Sequence, residues 1–192
     1  MNNKEKLEKN KYKFVKARPY LCVAAVLEMV IKAYIPMCDI SQNEIANFFG
    51  VGVEKGALPP VSNFYIVNED EDIGIHIHED SINSLFRTFN LSLEEDYIHI
   101  SKLADYEFED VLNELISKGN TLICGYSYGR LYNIKEKYDI GHVSIVTSVL
   151  QRKVQLLDPG PLDAGVKEVD IEDLYYAIRY RHDGIWKIKR KC

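Results

Sequence analysis

The spacing of hydrophobic residues changes once along the chain, and this change limits the folds that the chain can adopt. In four segments up to residue 118, apolar residues recur at steps of three and four, as they do on one face of a helix: about residues 20–35, a short segment behind the capping box of Ser41 and Glu44, about 80–90 and about 105–118. We expect a long glycine-rich loop with an acidic run at residues 50–80, an extended or irregular segment at residues 91–100 and a polar connection at residues 129–139. After Gly119 they form short runs rich in β-branched and aromatic residues, beginning with residues 121–128. Helices followed by strands predict an α+β fold with an antiparallel sheet.

The size and composition are those of an ordinary globular protein. The 192 residues are 46% hydrophobic and 28% charged, which is enough for one core, and the net charge of −5 argues against a nucleic-acid partner. We expect residues 1–16 to form a charged lead-in and residues 17–192 to form a single domain. The polar N-terminus and the absence of a long apolar run predict a cytoplasmic protein without a membrane partner.

The first strongly apolar helix carries a cysteine at its start. Pro19 and Pro36 bracket the segment, and Cys22 falls in or beside the first turn. The unpaired N–H groups and the positive dipole end of a helix favour a thiolate at this place. An isolated cysteine here could equally be a small buried hydrophobic residue.

A histidine and an aspartate flank the predicted β-hairpin in the second half of the chain. His142 opens one strand and Asp158 closes the other, and a tight turn near residue 152 places both at the open end, with His142 opposite about position 162. A carboxylate beside an imidazole can fix its tautomer, and the imidazole can then activate a thiol. Taken singly, His142 could be a strand-end residue satisfied by a backbone carbonyl, and Asp158 a turn former. The order Cys, His, Asp on these elements favours a catalytic triad.

Three short motifs resemble one known family. Cys22-Val-Ala-Ala, Gly141-His-Val-Ser and Leu157-Asp-Pro resemble the papain-like peptidases that process bacteriocin leaders of the double-glycine type, and their stand-alone relatives. The resemblance implies a papain-like fold in a bacterial protein, with the cysteine helix packed on the C-terminal sheet. It also implies thiol chemistry, with Cys22 as nucleophile, His142 as base and acid, and Asp158 as the residue that orients the histidine.

The resemblance leaves the reaction open among three possibilities. The chain could be a hydrolase acting on a peptide or amide substrate, with the Cys22 N–H as one oxyanion donor. It could instead be an acyltransferase that uses a carrier-bound thioester, because the same triad serves both reactions. The third possibility is a catalytically silent module that binds a peptide in the same cleft. The oligomeric state is equally open.

Two positions depart from the family pattern. Val23 stands where the family usually has glycine, and Lys16 stands where it has a glutamine whose amide contributes to the oxyanion hole. Lys16 is therefore the oxyanion candidate, with Asn10 as a second possibility. A charged donor makes a hydrogen bond roughly twice as strong as a neutral one. Lys16 could also be an ordinary surface residue in a lysine-rich segment.

No metal site or cofactor is predicted. His76 and His78 alternate as ligands on a strand can, but no third ligand follows at useful spacing, so we expect a solvent-facing segment. Three tyrosines near the predicted hairpin, Tyr126, Tyr128 and Tyr132, could line a cleft. Tyrosines are also common in half-buried sheets, so these residues do not decide the function.

Overall fold

The computed structural model describes residues 11–53, 73–78, 80–134, 140–161 and 163–191. The order of elements is helical first and β-rich second, as the hydrophobic pattern predicts. Its helices and strands are, in chain order, α1 (Cys22–Tyr34), α2 (Gln42–Phe49), α3 (Ser81–Thr88), β1 (Leu93–His99), α4 (Phe108–Ser117), β2 (Thr121–Ser127), α5 (Tyr128–Leu131), β3 (Gly141–Leu150), β4 (Lys153–Asp158), β5 (Gly165–Asp170), α6 (Ile171–Tyr180) and β6 (Gly184–Arg190).

The chain divides into two compact units, Met1–Phe89 with Pro159–Gly165, and Asn90–Asp158 with Val166–Cys192. The single domain expected from residue 17 stays a prediction. Several sequence-based expectations lie outside the described residues. They concern most of the lead-in with Asn10, most of the glycine-rich and acidic segment within residues 50–80, and the end of the polar connection before Gly141.

The first unit is built on the cysteine helix. Helix α1 begins at Cys22 and ends at Tyr34, two residues before Pro36. Nine consecutive residues, Val23–Ile31, are buried, and the one charged residue among them is Glu28. Helix α2 follows with the predicted capping box. The Ser41 side chain accepts from the Glu44 N–H, and the Glu44 carboxylate accepts from the Ser41 N–H.

The second unit is a six-stranded sheet with helices packed on it, in the strand order β1-β6-β2-β3-β4-β5. The pairs β1 with β6, β6 with β2, β2 with β3, and β3 with β4 are antiparallel. Alternate residues of the central strands join α4 and α6 in one apolar core, because successive side chains of a strand point to opposite faces. Among the largest members of this core are Phe108, Leu112, Leu122, Tyr126, Leu156, Leu174 and Ile178. The predicted α+β class with an antiparallel sheet is confirmed.

The hairpin β3–β4 differs from its expected register. Its two-residue loop, Gln151 and Arg152, has φ of 52° and 63°, the left-handed conformation that a tight hairpin turn requires. A bulge between Val146 and Ser148 then shifts the pairing, so that Ile145 faces Leu157. The pairs beside the turn already lie one position from the expected count, with Val149 facing Val154, and the bulge adds a second position. The expected pairing of His142 with about position 162 is therefore wrong by about two positions. The shift brings Asp158 closer to the histidine.

Two strands of the sheet, β1 and β5, were not predicted from the sequence. Residues 91–100 were expected to be extended or irregular, and Leu93–His99 pairs along its full length with β6. Strand β5, Gly165–Asp170, follows the Asp158-Pro-Gly break and forms the far edge of the sheet. Among the described residues, no helix is both long and apolar enough to cross a membrane.

Candidate active site

The second unit brings His142 and Asp158 together. Nε2 of His142 lies 2.8 Å from Oδ1 of Asp158, within hydrogen-bond distance. Both residues are buried, with 7% and 1% of their surface exposed. Strand β3 supplies the histidine at its second residue, and β4 supplies the aspartate at its last. The predicted proximity of His142 and Asp158 is present in this unit, and the orienting role of the carboxylate stays a prediction.

Two tyrosine rings enclose the imidazole. Tyr126 is the β2 partner of His142, and its ring lies edge-on to the imidazole with centroids 5.6 Å apart. The ring of Tyr128 makes a second edge-on contact at 5.2 Å. The hydroxyl of Tyr126 also lies 2.8 Å from the Ser144 hydroxyl, which locks that phenol in place. These contacts restrict the imidazole to a narrow range of orientations.

A third tyrosine contacts the carboxylate. The Tyr132 hydroxyl donates to Oδ2 of Asp158 over 3.4 Å, so the two oxygens of Asp158 have different partners. Burial, and then the negative charge of Asp158, raise the pKa of Tyr132 well above its usual range. The phenol therefore stays protonated at neutral pH and remains a donor. The cleft-lining prediction for the tyrosines stays a prediction, but their contacts with this pair are clear.

The first unit places Cys22 at the first residue of α1, as the sequence predicts. Its side chain is half-buried and its thiol is free. Among the described residues no side chain caps this helix end, and the first intrahelical bond runs from Ala25 to Leu21. The N–H groups of the first turn therefore lack intrahelical partners beside the thiol. Tyr20, two residues before the cysteine, has a φ of 67°, an uncommon conformation for a residue other than glycine.

Lys16 lies in the segment that leads to this helix. Its side chain is exposed, and its carbonyl accepts a hydrogen bond of 3.1 Å from the Gln42 side chain. The role of Lys16 as an oxyanion donor stays a prediction. The meeting of Cys22 with the His142–Asp158 pair likewise stays a prediction, because the two parts belong to different units.

The other described cysteines differ from Cys22. Cys124 is buried on strand β2 of the sheet, and burial, followed by the charge of Asp183, raises the pKa of its thiol far above the usual range. Cys38 is half-buried in the loop after α1. Within the described residues, no group of three histidine, cysteine or acidic side chains could hold a metal ion.

The fold resembles that of a solved structure. A proposed C39-like peptidase from Bacillus anthracis superposes with a TM-score of 0.58 over 93% of this chain and 95% of that chain, at 12% sequence identity. The chain has a papain-like fold. At this identity the likeness concerns the fold alone. No family model matches the sequence, and no curated protein matches it either.

Sequence reasoning missed two contacts around these residues. The Tyr132–Asp158 bond joins positions 26 residues apart and leaves no local signature. The contacts of Gln42 and Glu28 were also missed, although a glutamate within an otherwise apolar helix was a signal. A charge on a buried helix face requires hydrogen-bond or ion-pair partners, and Glu28 finds them in Lys32 of its own helix and in the Gln42 N–H.

Proposed function

We propose that this chain is a thiol-dependent hydrolase that acts on a peptide or amide substrate through Cys22, His142 and Asp158. The observation that carries the proposal is the buried 2.8 Å hydrogen bond between His142 and Asp158, within a papain-like fold. A carboxylate on one imidazole nitrogen holds a general base in one tautomer and one orientation. A thiol at the start of a helix is the matching nucleophile.

One hydrogen bond of the first unit supports this assignment. The N–H of Ala17 donates to the carbonyl of Pro159 over 2.8 Å. Ala17 lies five residues before Cys22, and Pro159 directly follows Asp158 in the sequence. Within this unit, the segment that begins at Pro159 is thus paired with the segment that leads to the cysteine.

The proposed reaction has two halves. Nδ1 of His142 takes the proton of Sγ of Cys22, while Nε2 keeps its bond to Asp158. Sγ attacks the substrate carbonyl, the C–N bond breaks, and the leaving amine takes the proton from His142. Water then gives a proton to His142 and attacks the thioester, the C–S bond breaks, and Sγ regains its proton as the acid leaves.

The oxyanion of each tetrahedral intermediate needs donors. The Cys22 N–H is one, because it is the first N–H of α1 and lacks an intrahelical acceptor. Lys16 is the proposed second donor, at the spacing where related enzymes carry glutamine. Replacement of Lys16 by alanine should then slow acyl transfer from a substrate to Cys22, because that step forms an oxyanion. Lys13→Ala, at a neighbouring exposed lysine, should leave the rate of this step unchanged. Equal rates in both variants would reduce Lys16 to a surface residue.

Iodoacetamide labelling read by mass spectrometry tests the proposal without a known substrate. Cys22 should label faster than Cys38 in the same sample, and at lower pH than an ordinary thiol with a pKa of about 8.5. Cys124 should label only after unfolding, because burial raises the pKa of its thiol and shields it.

Variants of the histidine complete the test. In His142→Asn the low-pH labelling of Cys22 should be lost, while Cys38 labels as before. Circular dichroism checks that the variant is folded. Labelling of wild-type Cys22 no faster than Cys38 at every pH would contradict the proposal and favour the silent binding module.

A further inference from the structure

The segment before the cysteine helix is held at both edges. Residues 16–18 belong to no helix or strand, and the Ala17 N–H on one edge of this segment donates to the Pro159 carbonyl over 2.8 Å. On the other edge the Gln42 side chain acts as a strand would. Its carbonyl oxygen accepts from the Arg18 N–H at 3.1 Å, and its amide donates to the Lys16 carbonyl at 3.1 Å.

The orientation of this amide is determined by its partners. A backbone N–H can only donate and a backbone carbonyl can only accept, so the reversed amide would lose both bonds. The spacing is also specific, because the Lys16 C=O and the Arg18 N–H both bond to the same side chain. A primary amide presents one acceptor and one donor side by side and matches this pair of groups.

Gln42 is in turn held by the cysteine helix itself. Its backbone N–H donates to Oε2 of Glu28 at 2.6 Å, and Oε1 of Glu28 accepts from Lys32 at 2.5 Å. Glu28 lies in the middle of α1 with 7% of its surface exposed. Hydrogen bonds therefore connect α1, through Glu28 and Gln42, to residues 16–18. The chain itself connects residues 16–18 to Cys22 at the start of α1.

The path is separate from the cap of helix α2. The capping box of that helix uses Ser41 and Glu44, and both of its bonds are complete without the Gln42 side chain. The Gln42 amide is thus directed at the lead-in segment and not at its own helix. The segment it holds ends in the turn closed by the bond from Leu21 N–H to Arg18 C=O, which immediately precedes Cys22.

We propose that Gln42 is a positioning residue for Cys22, with Glu28 as its anchor on α1. The amide sets the path by which residues 16–21 approach the helix start, and so sets the orientation of the Cys22 thiol and N–H. The role of Gln42 at a reactive thiol rests on the proposed function. The hydrogen bonds by which Gln42 holds residues 16–18 are independent of that function.

The test compares three variants by two measurements. Gln42→Met keeps the length of the side chain but makes neither bond. Gln42→Glu, when ionised, keeps only the acceptor for Arg18, and when protonated it can again donate to Lys16. Asn47→Ala, at an exposed residue of the same helix, is the matched control. The measurements are amide hydrogen exchange at Arg18 and the rate of Cys22 modification by a dipyridyl disulfide, taken relative to Cys38.

In Gln42→Met, exchange at Arg18 should quicken by about tenfold, as expected for loss of one hydrogen bond. Cys22 modification should slow on the order of tenfold to a hundredfold, the range that small misplacements of a reacting group produce. In Gln42→Glu at neutral pH, exchange at Arg18 should stay near wild type, because the carboxylate still accepts from the Arg18 N–H. Cys22 modification should slow, because the donor to Lys16 is lost, and it should approach the wild-type rate in acid, where the carboxyl is protonated. Asn47→Ala should match wild type in both measurements.

Three results would overturn the inference, and each is distinct from failure of the proposed function. Unchanged exchange at Arg18 in Gln42→Met would show that the amide holds nothing. Faster exchange at Arg18 with an unchanged rate of Cys22 modification would show that the amide holds residues 16–18 but does not position Cys22. If the rate of Cys22 modification in Gln42→Glu does not recover in acid, the hydrogen bond donated to the Lys16 carbonyl plays no part in positioning Cys22. Failure of the proposed function would appear in the wild type, as equal rates at Cys22 and Cys38.

Discussion

Replacement of Asp158 separates the hydrogen bond of the buried pair from its charge. Asp158→Asn removes the charge but can still present an oxygen to Nε2 of His142, which lies 2.8 Å from the present carboxylate. Asp158→Ala removes the charge and the acceptor together. A comparison of Asn with Ala therefore isolates the acceptor, and a comparison of wild type with Asn isolates the charge.

The expected difference in stability between Asp158→Ala and Asp158→Asn follows from the burial of His142. His142 is only 7% exposed, so in the alanine variant its N–H loses its partner in a place with little access to water. Such an unsatisfied buried donor costs about 1–3 kcal/mol. The Tyr132 bond of 3.4 Å is long and adds little. For a chain of 192 residues, about 2 kcal/mol corresponds to a fall in Tm of about 4–8 °C.

Two assays on the same samples read out this difference. Thermal unfolding followed by circular dichroism should place Asp158→Ala about 4–8 °C below Asp158→Asn. Labelling of Cys22 should slow by about tenfold in Asp158→Asn, because a hydrogen bond to a charged partner exceeds a neutral one by about 1.5 kcal/mol, and at least as much in Asp158→Ala, which loses the whole bond. Equal Tm values for the two variants would refute the reasoning about the buried hydrogen bond. Labelling of Cys22 at the wild-type rate in both variants would refute the role of the Asp158 charge.

Two further predictions concern the sheet of the second unit. Gly184→Ala should destabilise the protein by about 1–3 kcal/mol in urea unfolding, because the new Cβ would lie 2.2 Å from the Ile98 carbonyl of the neighbouring strand; an unchanged midpoint would contradict the close packing of β1 on β6. Burial raises the pKa of Asp183 above its ordinary 3.8, so the folded state disfavours its charge, and wild type loses stability as pH rises from the unfolded-state value through the higher folded-state value. Asp183→Asn does not titrate and keeps the acceptor for the Gly184 N–H. Its stability relative to wild type should therefore grow from pH 3 towards neutrality and then level off, and a constant difference would exclude this explanation.

Much of the fold could be predicted because it depends on local chemistry. Pro19, Pro36 and the three-to-four spacing between them define α1, and Ser41 with Glu44 marks the start of α2. The hairpin β3–β4 was predictable from two β-rich runs around a short polar turn. Each of these signals lies within a few residues of the structure that it predicts.

The register of the hairpin could not be predicted in the same way. The bulge between Val146 and Ser148 adds one residue on one strand, and nothing in the local sequence announces it. The turn is centred between Gln151 and Arg152 and not at residue 152, which shifts the pairing by one further position. A simple count from the turn therefore misplaced the partner of His142 by about two positions. The pairing of His142 with Asp158 was still expected, because both were assigned to the same end of the hairpin.

The sequence by itself determined which residues carry the candidate chemistry: a cysteine at a helix start, and a histidine and an aspartate at the open end of one hairpin. Only the tertiary structure decided what holds them. Tyr132 reaches Asp158 across 26 positions, and Gln42 reaches Lys16 across 26 positions. Periodicity and turn chemistry report on neighbours within about one turn or one hairpin, whereas these bonds form only when distant segments pack together.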